Sequence, residues 1–374
     1  MSLFNTETIQ IEDLKNLLEN HIPVKIIDVR SKENFDQWHI PGSISFPVSK
    51  TLNEFNNRND IISELVFKDD LPVIVVCQEG IMSKETMKGF RDLLDIEAYS
   101  LAGGIKHWTR VWNTAEMQSD DTKIIQVRRV GKGCLSYLII NNGEAAVIDA
   151  AVEPQTFIDL AQTHQAQIKY VLDTHIHADH FSRSKQLSEQ TGSKLLLPAQ
   201  NLVQYKFTPV KDGNQITIGK AVLKAIHTPG HTDESLSYLL NNQILFSGDL
   251  LFLNGVGRPD LKSSDEIARQ KTIKLYRSLQ KVLNLPEDIL VLPGHYHQPV
   301  QFDGKLIGKT LKKLKAELDL LNLDELAFID EILTNMPDTP PNFEQIVNLN
   351  ITGEAVAYNL VDLEAGENRC SSQM

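Results

Sequence analysis

Cysteine is scarce in this chain: Cys77, Cys134 and Cys370 are the only three in 374 residues. Thiols so few and so scattered cannot build a disulfide framework, and a reducing cytoplasm is the expected setting. Basic charge is also short, with 37 Lys and Arg against 49 Asp and Glu, a net charge of −12. That balance argues against nucleic acid and anionic membrane as partners, since both need a concentrated basic surface. No apolar run approaches the ~18 residues of a membrane span. The start, Met1-Ser2-Leu3-Phe4-Asn5-Thr6-Glu7, has neither a basic region nor an apolar core, so no signal peptide is expected. What is present is an ordinary soluble composition, 41% hydrophobic and 23% charged. The length favours two domains or more and leaves ample chain for a core. Self-association into a homo-oligomer stays open.

The chemistry concentrates in Thr174-His175-Ile176-His177-Ala178-Asp179-His180, just after the strand-like run Tyr170-Val171-Leu172. Neutral imidazole offers a nitrogen lone pair near neutral pH, which makes histidine the commonest metal donor. One His-x-His pair is weak evidence, because a solvated loop holds it by chance. This cluster is backed by His231 in Pro229-Gly230-His231, Asp249 in Gly248-Asp249 and His295 in Gly294-His295. Each sits beside a glycine where an apolar run ends. The pattern reads as a metal site.

Along the chain, the first third alternates strands and helices. Glu12 to Asn20 places Leu14, Leu17 and Leu18 on one helical face. Val24 to Val29 and Leu71 to Val76 read as buried strands, and Ser83 to Leu94 as a helix. This order predicts an α/β domain, a parallel sheet with helices on both faces. The polar stretch Asn113 to Lys123 reads as the boundary, giving domains 1–115 and 122–355 and a tail, 356–374. In the second domain, strands are expected at Ile124 to Val130, Leu135 to Ile140 and Ala145 to Ile148, with Asn141-Asn142-Gly143 as a hairpin turn. Further strands are expected at Lys169 to Leu172, Lys194 to Leu197, Ala221 to Ile226, Leu236 to Leu240 and Ile244 to Phe246, and a helix at Ser264 to Val282. Two sheets between helices result, with the candidate ligands on loops at one edge. Lys305 to Asn335 reads as one or two amphipathic helices, and the chain after Glu364 as disordered.

Cys77 ends the run Pro72-Val73-Ile74-Val75-Val76 and precedes Gln78-Glu79-Gly80-Ile81-Met82-Ser83 and a helix. A thiol there faces loop N–H groups and the positive end of a helix, both of which favour the thiolate. Its surroundings are Ile27-Asp28-Val29-Arg30, Phe35, His39-Ile40-Pro41-Gly42-Ser43-Ile44 through Pro47, Leu101-Ala102-Gly103-Gly104-Ile105 and Trp108. Over roughly residues 5 to 112 these resemble the rhodanese (sulfurtransferase) family. The resemblance implies that Cys77 is catalytic and carries a persulfide between a sulfur donor and an acceptor. Two positions depart from it: Met82 stands where an arginine is frequent, and Trp38 where a glycine is usual. Glu79 adds negative charge, so a doubly anionic donor such as thiosulfate is expected to be received poorly.

The series His175, His177, Asp179, His180, His231, Asp249, His295 resembles the metallo-β-lactamase superfamily over roughly residues 122 to 300, which implies an αββα sandwich. The resemblance leaves two branches. In hydroxyacylglutathione hydrolases two zinc ions bind: His175, His177 and His231 would hold one, Asp179, His180 and His295 the other, and Asp249 would bridge. In persulfide dioxygenases one Fe(II) is held by two histidines and a carboxylate, here His175, His231 and Asp249, leaving open coordination positions. His177, Asp179, His180 and His295 would then orient those ligands.

Gly255-Val256-Gly257-Arg258-Pro259-Asp260 looks like the Gly-Arg-x-Asp segment of persulfide dioxygenases. Arg258 either binds the carboxylate of a thiol carrier such as glutathione or pairs with Asp260. Tyr296 either reaches the substrate or packs in the core. Arg183 is expected on a solvated helix face rather than against an anionic substrate, Cys134 as a packed small side chain rather than a redox thiol, and Cys370 has no assigned role. A rhodanese handles persulfide sulfur and a dioxygenase oxidises it, so the fusion favours iron. The expectation is a cytoplasmic enzyme that converts a thiol persulfide, O2 and water to sulfite and thiol.

Overall fold

The computed structural model describes residues 7–48, 71–261, 263–365 and 370–373. The leader reading of residues 1–6 lies outside these. Five strands form the first sheet: β1 (Thr8–Ile9), β2 (Lys25–Asp28), β3 (Ile44–Ser45), β4 (Val73–Val76) and β5 (Ala98–Leu101). Their order is β1-β5-β4-β2-β3, and every pairing is parallel. A parallel sheet is buried on both faces, which is why β4 is Val-Ile-Val-Val without alternation. Ile74 and Val76 pack with Leu14 and Leu17 of helix Ile11–Glu19. Val73 and Val75 on the other face pack with Met87 and Phe90 of helix Ile81–Leu94. Helices cover both faces, as expected.

The second domain opens with a seven-stranded sheet. Its strands, in spatial as in chain order, are β6 (Trp112–Ser119), β7 (Thr122–Arg129), β8 (Leu135–Asn141), β9 (Glu144–Ile148), β10 (Gln167–Leu172), β11 (Lys194–Pro198) and β12 (Thr208–Val210). Pairing is antiparallel from β6 to β9 and parallel from there on. The β8–β9 turn has Asn142 at φ 49° and Gly143 at φ 74°, the left-handed pair that a tight hairpin requires. The facing sheet holds β13 (Gln215–Ile218), β14 (Ala221–His227), β15 (Leu236–Leu240) and β16 (Ile244–Gly248). After β17 (Gly255–Gly257), which lies outside it, that sheet is completed by β18 (Leu290–Pro293) and β19 (Lys309–Thr310).

Tyr137, Ile139 and Ile148 of the first sheet meet Leu223, Tyr238 and Phe246 of the second in one core. Phe157 and Leu187, from helices Pro154–Thr163 and Ser184–Thr191, cover the outer face of one sheet. Leu275, Leu279 and Val282 of helix Asp265–Leu283 cover the other. The arrangement is the expected helix–sheet–sheet–helix sandwich.

Two expectations are corrected. The polar stretch taken as a boundary is strand β6, paired residue for residue with β7 from Trp112 to Ser119. An edge strand with one solvated face has a linker's composition, yet backbone bonds hold it in the sheet. The described residues near the C-terminus are also ordered: β20 (Ser371–Gln373) pairs antiparallel with β17, and Cys370 is buried. The Lys305 to Asn335 region resolves into helices Leu311–Glu317 and Glu325–Thr334.

The domains share contacts. Trp108 and Val111 cluster with Val130 and Val300, and Arg129 Nε donates to Thr109 O at 3.0 Å. Trp38 is buried, and its ring reaches Gly133, where an added Cβ would stand 3.1 Å from Cη2. The tryptophan that departs from the rhodanese pattern therefore packs on the second domain.

Candidate metal centre

Parallel strands deliver their chemistry at their carboxyl ends. Asp149 follows β9, the histidine cluster follows β10, Asp249 follows β16 and His295 follows β18. His231 lies four residues beyond β14. All seven expected residues come together and none is more than 5% exposed. Gly294 is required by proximity: a Cβ there would lie 2.6 Å from Asp249 Oδ1 and 3.0 Å from the Gly248 backbone.

Each ring is aimed by a partner on its far nitrogen. Thr174 Oγ1 donates to Asp149 Oδ2 and accepts from His175 Nδ1, both at 2.9 Å. His177 Nε2 donates to Asp149 Oδ1 at 3.2 Å, and His231 Nδ1 to Arg258 O at 2.8 Å. The opposite atoms, His175 Nε2, His177 Nδ1, His231 Nε2, His180 Nε2 and Asp249 Oδ2, are buried without a hydrogen-bond partner. Buried polar atoms in folded proteins are as a rule satisfied, so the orphans on His175, His231 and Asp249, which fall in one set of close donor atoms, fit a cation. Asp249 Oδ2 stands 3.8 Å from His175 Nε2 and 3.6 Å from His231 Nε2. Ligand atoms each about 2.1 Å from one ion are roughly 3–4 Å apart. The residues present fit a metal.

The other half of the pocket differs. His295 uses both nitrogens, Nδ1 to Asp249 Oδ1 at 2.7 Å and Nε2 to Asp179 Oδ2 at 2.9 Å. Asp179 Oδ1 also accepts from His180 Nδ1 at 3.0 Å. Electrostatics follow this division. Burial, then His177, lowers His175 well below the usual imidazole range, and burial lowers His231, so both rings are neutral donors. Burial opposes charge on His295 too, but Asp249 and Asp179 outweigh it and hold the ring protonated.

Residues the sequence reading did not place at the site complete the pocket. Cys134 Sγ donates to Asp179 Oδ2 at 3.2 Å and falls with Asp179, His180 and His295 in one set of potential ligands. Cys370 falls in another with Asp249 and His295. Asn350 Nδ2 donates to the carbonyls of His177 and His180, fixing the loop. Asp149 carried a usable signal, an acid where an apolar strand ends, the same one that marked Asp249. Asp149→Asn is expected to weaken metal affinity about 10–100-fold, the usual loss when a partner behind a ligand is removed. Competition against a chelator measures this, and unchanged affinity would remove Asp149 from that role.

Three expected site residues point elsewhere. Arg258 is buried, its guanidinium bound to both oxygens of Asp260 at 2.7 Å and to the carbonyls of Asp338 and Pro337. With its fork filled by the protein, Arg258 ties the loop after Asp249 to the C-terminal segment and presents nothing to a thiol carrier. Asp260 is its partner. Tyr296 Oη donates to Gln298, and the ring packs on core clusters. Arg183, expected in solvent, is buried against Glu364 at 2.8 Å.

The Cys77 loop takes the expected form. Sγ accepts from Gly80 N at 3.1 Å and Ser83 N at 3.3 Å, at the start of helix Ile81–Leu94. Gly104, at φ 58°, lets the next loop lie on Cys77, since a Cβ would stand 2.2 Å from Cys77 O. The cavity beside the thiol is lined by Val29, Arg30, Pro47, Ile81 and Met82. Arg30 is bound to Asp28 at 2.7 Å, and Ile81 and Met82 are exposed, so the rim is apolar.

Comparison with known proteins agrees with this division. Residues 10–111 match the rhodanese-like domain, and residues 129–295 match the metallo-beta-lactamase superfamily. A cytoplasmic hydroxyacylglutathione hydrolase of Arabidopsis thaliana is 36% identical over 170 residues, 43% of this chain and 62% of that protein. A hydroxyacylglutathione hydrolase of Francisella tularensis subsp. novicida is 32% identical over 161 residues, 42% of this chain and 61% of the relative. The chain thus spans about three fifths of the length of these relatives. Among solved structures, a metallo-beta-lactamase from Staphylococcus aureus superposes with TM-score 0.59 at 25% identity, covering 64% of this chain and 76% of its own. ETHE1 from Myxococcus xanthus gives 0.53 at 25% identity, covering 64% and 99%. Among the described residues no helix is long and apolar enough to cross a membrane. This chain joins a rhodanese-like domain to a domain of the metallo-beta-lactamase superfamily.

Proposed function

We propose that the second domain is a persulfide dioxygenase and the first a sulfurtransferase acting through Cys77, both in the cytoplasm. Persulfide, O2 and water give thiol, sulfite and protons. The observation that carries this reading is the asymmetry of the pocket. His175 Nε2, His231 Nε2 and Asp249 Oδ2 form an unpartnered two-histidine, one-carboxylate set, while both nitrogens of His295 are taken by carboxylates. Such a set suits one Fe(II), which when bound would supply the redox chemistry between sulfur and O2. The chain's own residues do the rest. Thr174 and the Arg258 carbonyl fix which nitrogens of His175 and His231 face inward. Asp179, His180 and His295 form a charged wall beside the reacting sulfur, and burial excludes bulk water. The fusion supports the reading too, since a rhodanese handles the sulfur that a dioxygenase consumes.

A second reading is a dinuclear zinc thioester hydrolase whose rhodanese-like domain regulates it. The proximity of Asp179, His180 and His295, with His180 Nε2 and His177 Nδ1 unpartnered, favours it, as do the names of the relatives. One experiment separates the two: metal analysis of anaerobically purified protein, with oxygen uptake on glutathione persulfide after iron loading. Iron-dependent uptake with sulfite release is expected. Two zinc per chain and fast thioester turnover without oxygen would overturn the proposal.

A further inference from the structure

We propose that the cavity beside Cys77 selects the persulfide of a thiol whose body is apolar and uncharged, and that Ile81 and Met82 set this choice. The inference rests on the sulfurtransferase reading of Cys77 and names its substrate class. Its first support is the charge around the thiol. The cavity measures about 750 Å³, and among the described residues two cations line it, Arg30 and Lys32. Arg30, 8% exposed, gives Nε and Nη2 to Asp28 at 3.0 and 2.7 Å, and Nη2 also to the Trp38 carbonyl. Lys32 pairs with Asp36 and is two-thirds exposed, so water screens what attraction it offers. Glu79 lines the cavity too, and its partner Lys106, at 3.1 Å, is shared with Asp362. Each of these positive charges already has a carboxylate. A donor whose body carries carboxylates would shed water here and gain no counter-charge.

The second support is the one charge the loop does provide for. Cys77 Sγ accepts from Gly80 N at 3.1 Å and Ser83 N at 3.3 Å, and Ser83 Oγ lies 3.3 Å away. Those donors suit a single anionic sulfur, a thiolate or the outer sulfur of a persulfide. The third support is the wall. Val29, Pro47, Val48, Ile81 and Met82 give the cavity its apolar lining. Ile81 and Met82 stand side by side in the first turn of helix Ile81–Leu94, 68% and 44% exposed. Met87 and Phe90 of that helix make its core contacts, so neither exposed side chain is needed for packing. An apolar body received against them gains about two- to fourfold in affinity per methylene buried.

The step moves one sulfur without net redox change. The Cys77 thiolate attacks the outer sulfur of the carrier persulfide, R–S–SH. A bond forms from Cys77 Sγ to that sulfur, the S–S bond to the carrier breaks, and the carrier leaves as its thiolate, R–S⁻. The transferred sulfur keeps its proton.

The test uses the full chain, without oxygen, and compares straight-chain alkyl persulfides from ethyl to hexyl with glutathione persulfide and thiosulfate. Sulfur added to the Cys77 peptide is followed by mass spectrometry after alkylation. Each donor's rate is divided by its rate with free cysteine, which removes intrinsic reactivity. The normalised rate should rise about two- to fourfold per methylene, and hexyl persulfide should exceed glutathione persulfide by about tenfold or more. Thiosulfate should be slower still. Met82→Arg should raise the thiosulfate rate about three- to fivefold, the worth of one exposed ion pair, and flatten the alkyl series. Ile81→Ser should slow hexyl persulfide and leave thiosulfate unmoved. Both side chains are exposed, so circular dichroism should not change. A flat alkyl series, or faster charging by glutathione persulfide or thiosulfate than by hexyl persulfide, would overturn the selection and leave the sulfurtransferase in place. An alkyl series that neither variant alters would overturn the role of Ile81 and Met82. Failure of every donor to charge Cys77 would remove the sulfurtransferase reading and this one with it.

Discussion

His231→Ala is expected to empty the metal pocket and take persulfide-dependent oxygen uptake to background. His231 supplies one of three mutually close donor atoms, and its ring is fixed by the Arg258 carbonyl and crosses that of His175 edge-on, with centroids 4.9 Å apart. Losing a ligand should cost more than the roughly 10–100-fold that partners behind a ligand contribute. Without metal, removal of a neutral ring from a site of orphaned donors leaves no charge unpaired, so the melting temperature of metal-free protein should move little. Metal content, oxygen uptake and the metal-free melting curve together check this. Full uptake in His231→Ala would show that the pocket is not the reaction centre.

Glu364→Gln should produce the largest loss of stability. Glu364 Oε1 accepts from Phe181 N at 2.9 Å and Arg183 Nη1 at 2.8 Å, and Oε2 accepts from Arg129 Nη1 at 2.8 Å. All three side chains of this cluster are buried. An amide leaves buried Arg129 without its paired carboxylate and Arg183 with only the exposed Glu153 at 3.7 Å, which costs about 3–5 kcal/mol. That corresponds to a fall in melting temperature on the order of 10 °C. Acid should reveal the same group. Burial pushes the Glu364 carboxyl up, but Arg129 and Arg183 outweigh it and hold it at about 2, against an ordinary 4.5. A carboxyl depressed in the folded state stabilises fully above its unfolded value. That stabilisation, roughly 3 kcal/mol, fades as pH falls from 4.5 through about 2. The wild-type protein should lose stability across this window more steeply than Glu364→Gln. Equal acid slopes would mean that the carboxylate is not what holds Arg129 and Arg183.

The seven metal-pocket residues were legible because histidine and aspartate at strand ends, beside glycine, form a pattern that packing alone does not produce. The Cys77 loop was legible for a similar reason, a thiol between a buried strand and a helix start. Cys134 and Cys370 were not, because a single cysteine looks the same in a core as in a site. Arg258 was left open between substrate and Asp260 because sequence does not show that Asp260 and two carbonyls of residues 337 and 338 fill its fork. Arg183 misled in the same way: it looks solvated alone, and only its meeting with Glu364, some 180 residues away, explains its burial.

The sequence by itself determined the two folds and singled out the seven candidate donors that the structure brings together. Local rules govern both: apolar periodicity sets strands and helices, and a metal needs particular atoms at strand ends. Tertiary structure alone decided where the boundary strand belongs, which donor atoms are left without partners, and where the C-terminal thiol goes. Those outcomes depend on hydrogen bonds and burial between residues far apart in the chain, and linear order carries no distance between them.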